Sequence, residues 1–284
     1  MKRFILASLL MSAAATAFAA APLNQIPSCY AANKMELAVP AQQREVFLLL
    51  DQTVELDQEL KQSLADTVRG LMSSGTSFQI LRFSAFSQGR YLDMVATGAL
   101  EQSVPESARN SVGVKTLKSF DSCIKGQLEY GARLALSATG KTLEQSSSAL
   151  SNSDVLASLA ETSKLVKAST APRRIVLIVS DMLENSTVSS FYAGKGVRKI
   201  DPEKEIQAVQ KNNLFGDFGG ATIFVMGAGI ISEQGAATSK AAQKNQYRDP
   251  KTLNALKQFW GEYFTKSNGR LEEFGMPALL SPVR

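Results

Sequence analysis

The 284-residue sequence contains no histidine. That absence rules out Ser-His-Asp and Cys-His hydrolysis, histidine-ligated zinc and imidazole proton shuttles. Any metal ion must then be held by oxygen atoms, which favours Mg²⁺, Mn²⁺ or Ca²⁺. Cysteine is scarce too, with only Cys29 and Cys123 present. In an oxidising compartment such a pair is expected to form a disulfide. A lipid on Cys29 is disfavoured by its Ile26-Pro27-Ser28 context, and a reactive Cys123 would have no histidine to activate it. Closing a separation of 94 residues stabilises a fold by about 4–5 kcal/mol in the chain-entropy model.

Long apolar runs are also missing. Phe4 to Ala15 falls short of the ~20 residues a membrane span needs. Preceded by Lys2-Arg3 and followed by Ala17-Phe18-Ala19, it reads as a bacterial secretory signal peptide over residues 1–19. The mature protein is therefore expected in the periplasm or outside the cell, with no membrane span. Removing Lys2 and Arg3 from the 31 basic residues leaves 29 against 26 acidic ones, a net of +3. Only Arg173-Arg174 and Lys195 to Lys199 form loose clusters, so nucleic acid is not an expected partner.

What is present is a series of alternating elements. Residues 20–43 hold Pro22, Pro27 and Pro40 and read as an extended N-terminal segment. Val46-Phe47-Leu48-Leu49-Leu50 then runs into Asp51-Gln52-Thr53, the pattern of a strand buried on both faces. Leu56, Leu60, Leu64, Val68 and Leu71 recur at helical spacing, with a helix expected to begin at Val54. Phe78 to Phe83 and Arg90 to Ala96 suggest a strand followed by an antiparallel edge strand. Long helices are expected over Thr116–Ala138 and Asp154–Lys167, with Asp154 as N-cap and a Ser-rich loop between them. Ile175 to Val179 repeats the first strand and ends in Ser180-Asp181. A helix opened by Asp201-Pro202, a third apolar strand over Ala221–Met226, a polar stretch over Ser232–Gln246, a helix from Asp249-Pro250 and a strand over Arg270–Phe274 complete the chain. Trp260, Tyr263 and Phe264 read as core. Strands alternating with helices define an α/β fold, doubly wound, with a mainly parallel central sheet, one antiparallel edge strand and helices on both faces.

At Asp51-Gln52-Thr53, Ser122 to Leu128 and Val179-Ser180-Asp181, residues 44–284 resemble a von Willebrand factor A (vWA) domain. The resemblance implies a metal-ion-dependent adhesion site on the C-terminal rim of the sheet, where Mg²⁺ or another divalent ion recognises an acidic group on a protein partner. Asp51, Thr53, Ser122 and Asp181 match the ligand positions, with Ser119 as the fallback for Ser122. Glu55 stands where the family has a second serine and makes the site degenerate. The implied function is an exported protein-binding module, with an envelope assembly as the expected setting. A metal-free vWA-like scaffold keeps the same face without the ion.

One enzymatic reading competes. Haloacid-dehalogenase-like phosphotransferases also place an aspartate after an apolar strand, which would make Asp51 a nucleophile and Ser180 its companion. Their later acidic pair has no counterpart at Val225-Met226-Gly227-Ala228-Gly229. Gly140-Lys141-Thr142 imitates the end of a phosphate loop but lacks the first glycine and the preceding strand.

Overall fold

A computed structural model describes residues 24–87, 90–147, 153–193, 196–230 and 250–284. The expected signal peptide and the polar stretch over Ser232–Gln246 lie outside the described residues.

The apolar run after Arg44 forms strand β1 (Arg44–Asp51) at the centre of a six-stranded sheet. Its neighbours are β2 (Thr76–Ser87) and β4 (Arg173–Val179), both parallel to it. Strand β3 (Arg90–Ala99) turns back antiparallel to β2 at one edge. On the other side β7 (Thr222–Met226) and β8 (Arg270–Phe274) extend the sheet in parallel. The spatial order is β3-β2-β1-β4-β7-β8, so the fold is the doubly wound α/β arrangement read from the sequence.

The run is uninterrupted because both faces of β1 are covered. Phe47 and Leu49 face one core with Val176 and Ile178 of β4, together with helices α5 (Val155–Ala168), α6 (Pro202–Lys211) and α7 (Pro250–Lys266). Trp260, Tyr263 and Phe264 sit fully buried in that core. Val46, Leu48 and Leu50 face the other core, under α2 (Gln58–Leu71) and α4 (Val114–Glu144). Burying a Leu, Val or Phe side chain stabilises by about 1.5–3 kcal/mol, so these two layers supply the main driving force.

Three local expectations are corrected. Asp57, not a residue before Val54, caps α2: its carboxylate accepts from Leu60 N at 2.8 Å. The rim loop after β1 is therefore longer than expected. Helix α4 runs to Glu144, which confines the Ser-rich connection to the residues just before α5. Asp154 occupies the N-cap position of α5 without a side-chain cap bond. The Glu184 carboxylate, 28 positions on in the chain, accepts from Leu156 N at 2.8 Å instead.

The N-terminal segment includes one helical turn, α1 (Cys29–Ala32), and is tied down at the N-terminal edge of the sheet. Cys29 and Cys123 form a disulfide. The buried Glu101 carboxylate accepts from Cys29 N at 2.7 Å and from Gln127 Nε2 at 3.2 Å. Ile26 fills a socket left by two glycines: a Cβ on Gly98 would lie 2.5 Å from its Cδ1, and one on Gly131 would lie 3.1 Å from it. Short α3 (Glu106–Arg109) leads from this region into α4.

Candidate functional site

Strands β1 and β4 lie side by side, yet their onward connections run over opposite faces of the sheet. Helix α2 returns from β1 on one face and α6 from β4 on the other. This is the switch point at which open α/β sheets leave a ligand crevice beyond the C-terminal strand ends. Asp51 ends β1, and Ser180-Asp181 follow β4 at the same level, because Leu50 pairs with Val179. The two aspartates therefore share one rim.

Asp51 is 1% exposed and forms the hub of that rim. Its Oδ1 accepts from Thr53 Oγ1 at 2.6 Å and Thr53 N at 2.9 Å. Its Oδ2 accepts from Ser180 Oγ at 2.7 Å and Ser153 Oγ at 3.3 Å. Three separate segments thus converge on one carboxylate. Burial pushes the carboxyl up from its ordinary value, against the pull of these hydrogen bonds.

Beyond β4, Ser180 Oγ accepts from Met182 N at 2.9 Å, and Met182 adopts φ 61°. A left-handed conformation at a residue with a Cβ costs roughly 1–2 kcal/mol. It is held here by Trp260 Nε1, which donates to Met182 O at 2.9 Å. Asp181 Oδ1 accepts from Leu183 N at 2.9 Å, and Tyr192 OH lies 3.5 Å from Oδ2. Tyr192 belongs to a small hairpin, β5 (Tyr192–Ala193) with β6 (Gly196–Val197), and is 37% exposed.

Next along, Glu184 is buried beside the N-terminus of α5. Burial, helped by the Asp154 charge, raises its carboxyl to about 7 against hydrogen bonds from Ser186 and Leu156. Asn185 exchanges backbone hydrogen bonds with Ser153, 3.2 and 3.0 Å, which clamps the α4–α5 connection to the loop after β4.

The structure brings Asp51, Thr53 and Asp181 to one rim. It does not bring Ser122 or Ser119 there. Both lie on exposed positions in the first half of α4, beside Cys123 and the α1 turn, at the N-terminal edge of the sheet. Helix α4 climbs about 1.5 Å per residue and reaches the rim only at its C-terminal end. There Arg82 donates to Gln145 Oε1 and Ser147 N donates to Gln52 O. The hydroxyl that meets Asp51 from this side is Ser153. Glu55 is exposed on the β1–α2 loop.

As placed, these residues leave the expected cation site without its second-loop ligand. Mg²⁺ requires near-octahedral oxygen ligation. Both Asp51 oxygens are taken up by protein donors, and a carboxylate offers about four lone-pair sites in all. The second-loop ligand expected at Ser122 is at the wrong end of α4.

No family model matches the chain, and no curated protein matches it. Among solved structures, it is similar to an aerotolerance-related membrane protein from Bacteroides fragilis carrying multiple mutations to serine. That match has 13% identity, 81% of this chain and 90% of that one, and a TM-score of 0.35. It is also similar to the conserved hypothetical protein BatB from Bacteroides thetaiotaomicron, at 12% identity over 81% and 90% of the chains, with a TM-score of 0.34. The pilus adhesin SpaC from Lactobacillus rhamnosus GG matches at 9% identity over 81% of this chain and 30% of its own, with a TM-score of 0.30.

Proposed function

We propose that this chain is an exported, non-enzymatic vWA-like module that binds another protein through the C-terminal rim of its sheet. The observation that carries the reading is the convergence of Thr53, Ser153 and Ser180 on the buried Asp51 carboxylate. It ties Thr53, Ser153 and Ser180, from three segments, into one pre-ordered face, and a pre-ordered face loses less entropy on docking. Thr53 and Glu55 lie on one side of that face and Tyr192 on the other, with tyrosine among the residue types enriched at binding hot spots.

The metal-free form of the module is the one the donor geometry supports. Titration with Mg²⁺, Mn²⁺ or Ca²⁺ should leave the melting temperature unchanged. A saturable shift that disappears in Asp181→Ala would restore recognition of an acidic group through a shared ion. The phosphotransferase reading is disfavoured because a nucleophile must reach its substrate, whereas Asp51 is buried with both oxygens engaged. Phosphatase turnover lost in Asp51→Asn would reinstate it.

The test of the main reading is affinity purification of the tagged chain beside a Glu55→Lys, Tyr192→Ala variant, both changes at exposed positions. A protein retained by the original chain should be lost from the variant while the two melt alike. Retention by both would place the docking surface elsewhere.

A further inference from the structure

Four of the 31 basic residues line one face of a single helix. Lys115, Lys118, Lys125 and Arg133 are all exposed on α4. At 3.6 residues per turn they fall within an arc of about 80°, opposite the face that carries the buried Phe120, Ile124, Gly131 and Ala135. The stripe is about 27 Å long at 1.5 Å per residue. Glu129 is the one acidic residue within that arc. None of the four cations is ion-paired among the described residues; the nearby Arg109–Asp121 bridge involves none of them.

The stripe also works against its own helix. Cations near a helix N-terminus oppose the macrodipole. Yet Lys115 and Lys118 stand at that end, with no acidic residue in the first turn and no side-chain cap on Gly113. Val114 is 70% exposed at the head of the stripe and Tyr130 is 42% exposed along its flank.

We propose that this face of α4 docks the protein on an anionic phospholipid surface. Three of the four cations are lysines, flexible point charges without the fixed fork that suits a paired carboxylate. Such charges match a fluid layer of headgroups, and basic residues near an anionic leaflet each add to surface attraction. A tyrosine beside them is the amphipathic ring found at membrane interfaces. The contact is peripheral, since the apolar face of α4 is already spent on the core and no described helix is long and apolar enough to cross a membrane. It is independent of the rim.

Vesicle co-sedimentation tests it with the full chain at low and moderate salt. Vesicles of phosphatidylcholine alone serve as control for the apolar N-terminus. Vesicles containing about one-third phosphatidylglycerol should retain at least tenfold more protein, and raising the salt should release it. Lys118→Glu, Lys125→Glu and Arg133→Glu together should abolish the difference; Lys118→Gln, Lys125→Gln and Arg133→Gln, which disturb the fold less, should reduce it severalfold. Equal retention on both vesicles, or a triple variant that binds as the original does, overturns the proposal. So does a chain that ignores vesicles and binds polyglutamate or duplex DNA through these residues.

Discussion

Ser180 Oγ lies 2.7 Å from Asp51 Oδ2, and this one bond joins the ends of the two central strands. The same hydroxyl accepts from Met182 N, so its loss strands groups on both sides. Ser180→Ala should cost about 1–3 kcal/mol, the penalty for buried polar groups left unpaired. Ser122→Ala, on the exposed face of α4, should stay within about 0.5 kcal/mol. Urea unfolding of the two variants separates them, and equal losses would contradict the rim described above.

Glu184 makes stability depend on pH. Its carboxyl rises from an ordinary 4.5 to about 7 on folding. Between those values the folded chain keeps a proton that the unfolded chain releases. Stability is therefore highest below the lower value, falls as pH climbs through the window, and levels off above it. The fall is up to about 3 kcal/mol at 1.36 kcal/mol per unit. Asp51, also raised, acts in the same direction. Unfolding free energies at pH 5 and pH 8 should show the loss, and Glu184→Gln should flatten most of it.

The disulfide spans 94 residues and holds α1 against α4. Reduction, or the double change Cys29→Ser with Cys123→Ser, should lower stability by about 4–5 kcal/mol on the chain-entropy account. Denaturation with and without a dithiol measures this directly. A difference below about 1 kcal/mol would mean that Glu101 and Ile26 fix the segment unaided.

Gly98→Ala forces a methyl against Ile26 Cδ1 and Phe78 Cζ, at 2.5 and 2.8 Å. Overpacking of this kind costs about 1–3 kcal/mol. Adding Ile26→Ala removes the nearer obstacle, so the double variant should lose clearly less than the sum of the single changes. Strict additivity in thermal unfolding would show that Ile26 does not occupy the socket.

The strands were legible because burial on both faces leaves an unbroken apolar signature, as in Phe47 to Leu50 and Ile175 to Val179. Arg270–Phe274 and the start of the last helix at Pro250 were equally readable. Asp51 and Asp181 followed from strand ends alone. Ser122 was misplaced because the pattern around Lys125 to Leu128 looks the same at either end of a helix. What decides is which sheet edge the helix is passing, a tertiary fact. Chain direction could have supplied it. The antiparallel β3 returns the chain to the far edge, so α4 must climb before α5 descends, and the residues between the two helices are the ones at the level of Asp51. Ser153 is one of them. Glu184 carried no local signal, since its role depends on Leu156 in the first turn of a helix, 28 positions earlier.

Asn24, the first described residue, and Arg284 lie at the same edge of the sheet. Asn24 Oδ1 accepts from Ala99 N, and Arg173 at the start of β4 donates to Arg284 O. Each lies at the edge remote from Asp51. A fusion partner or an immobilising tag joined after Arg284 therefore acts as a stalk at one pole. It leaves the opposite pole, with Thr53 and Tyr192, pointing outward and free to meet another molecule.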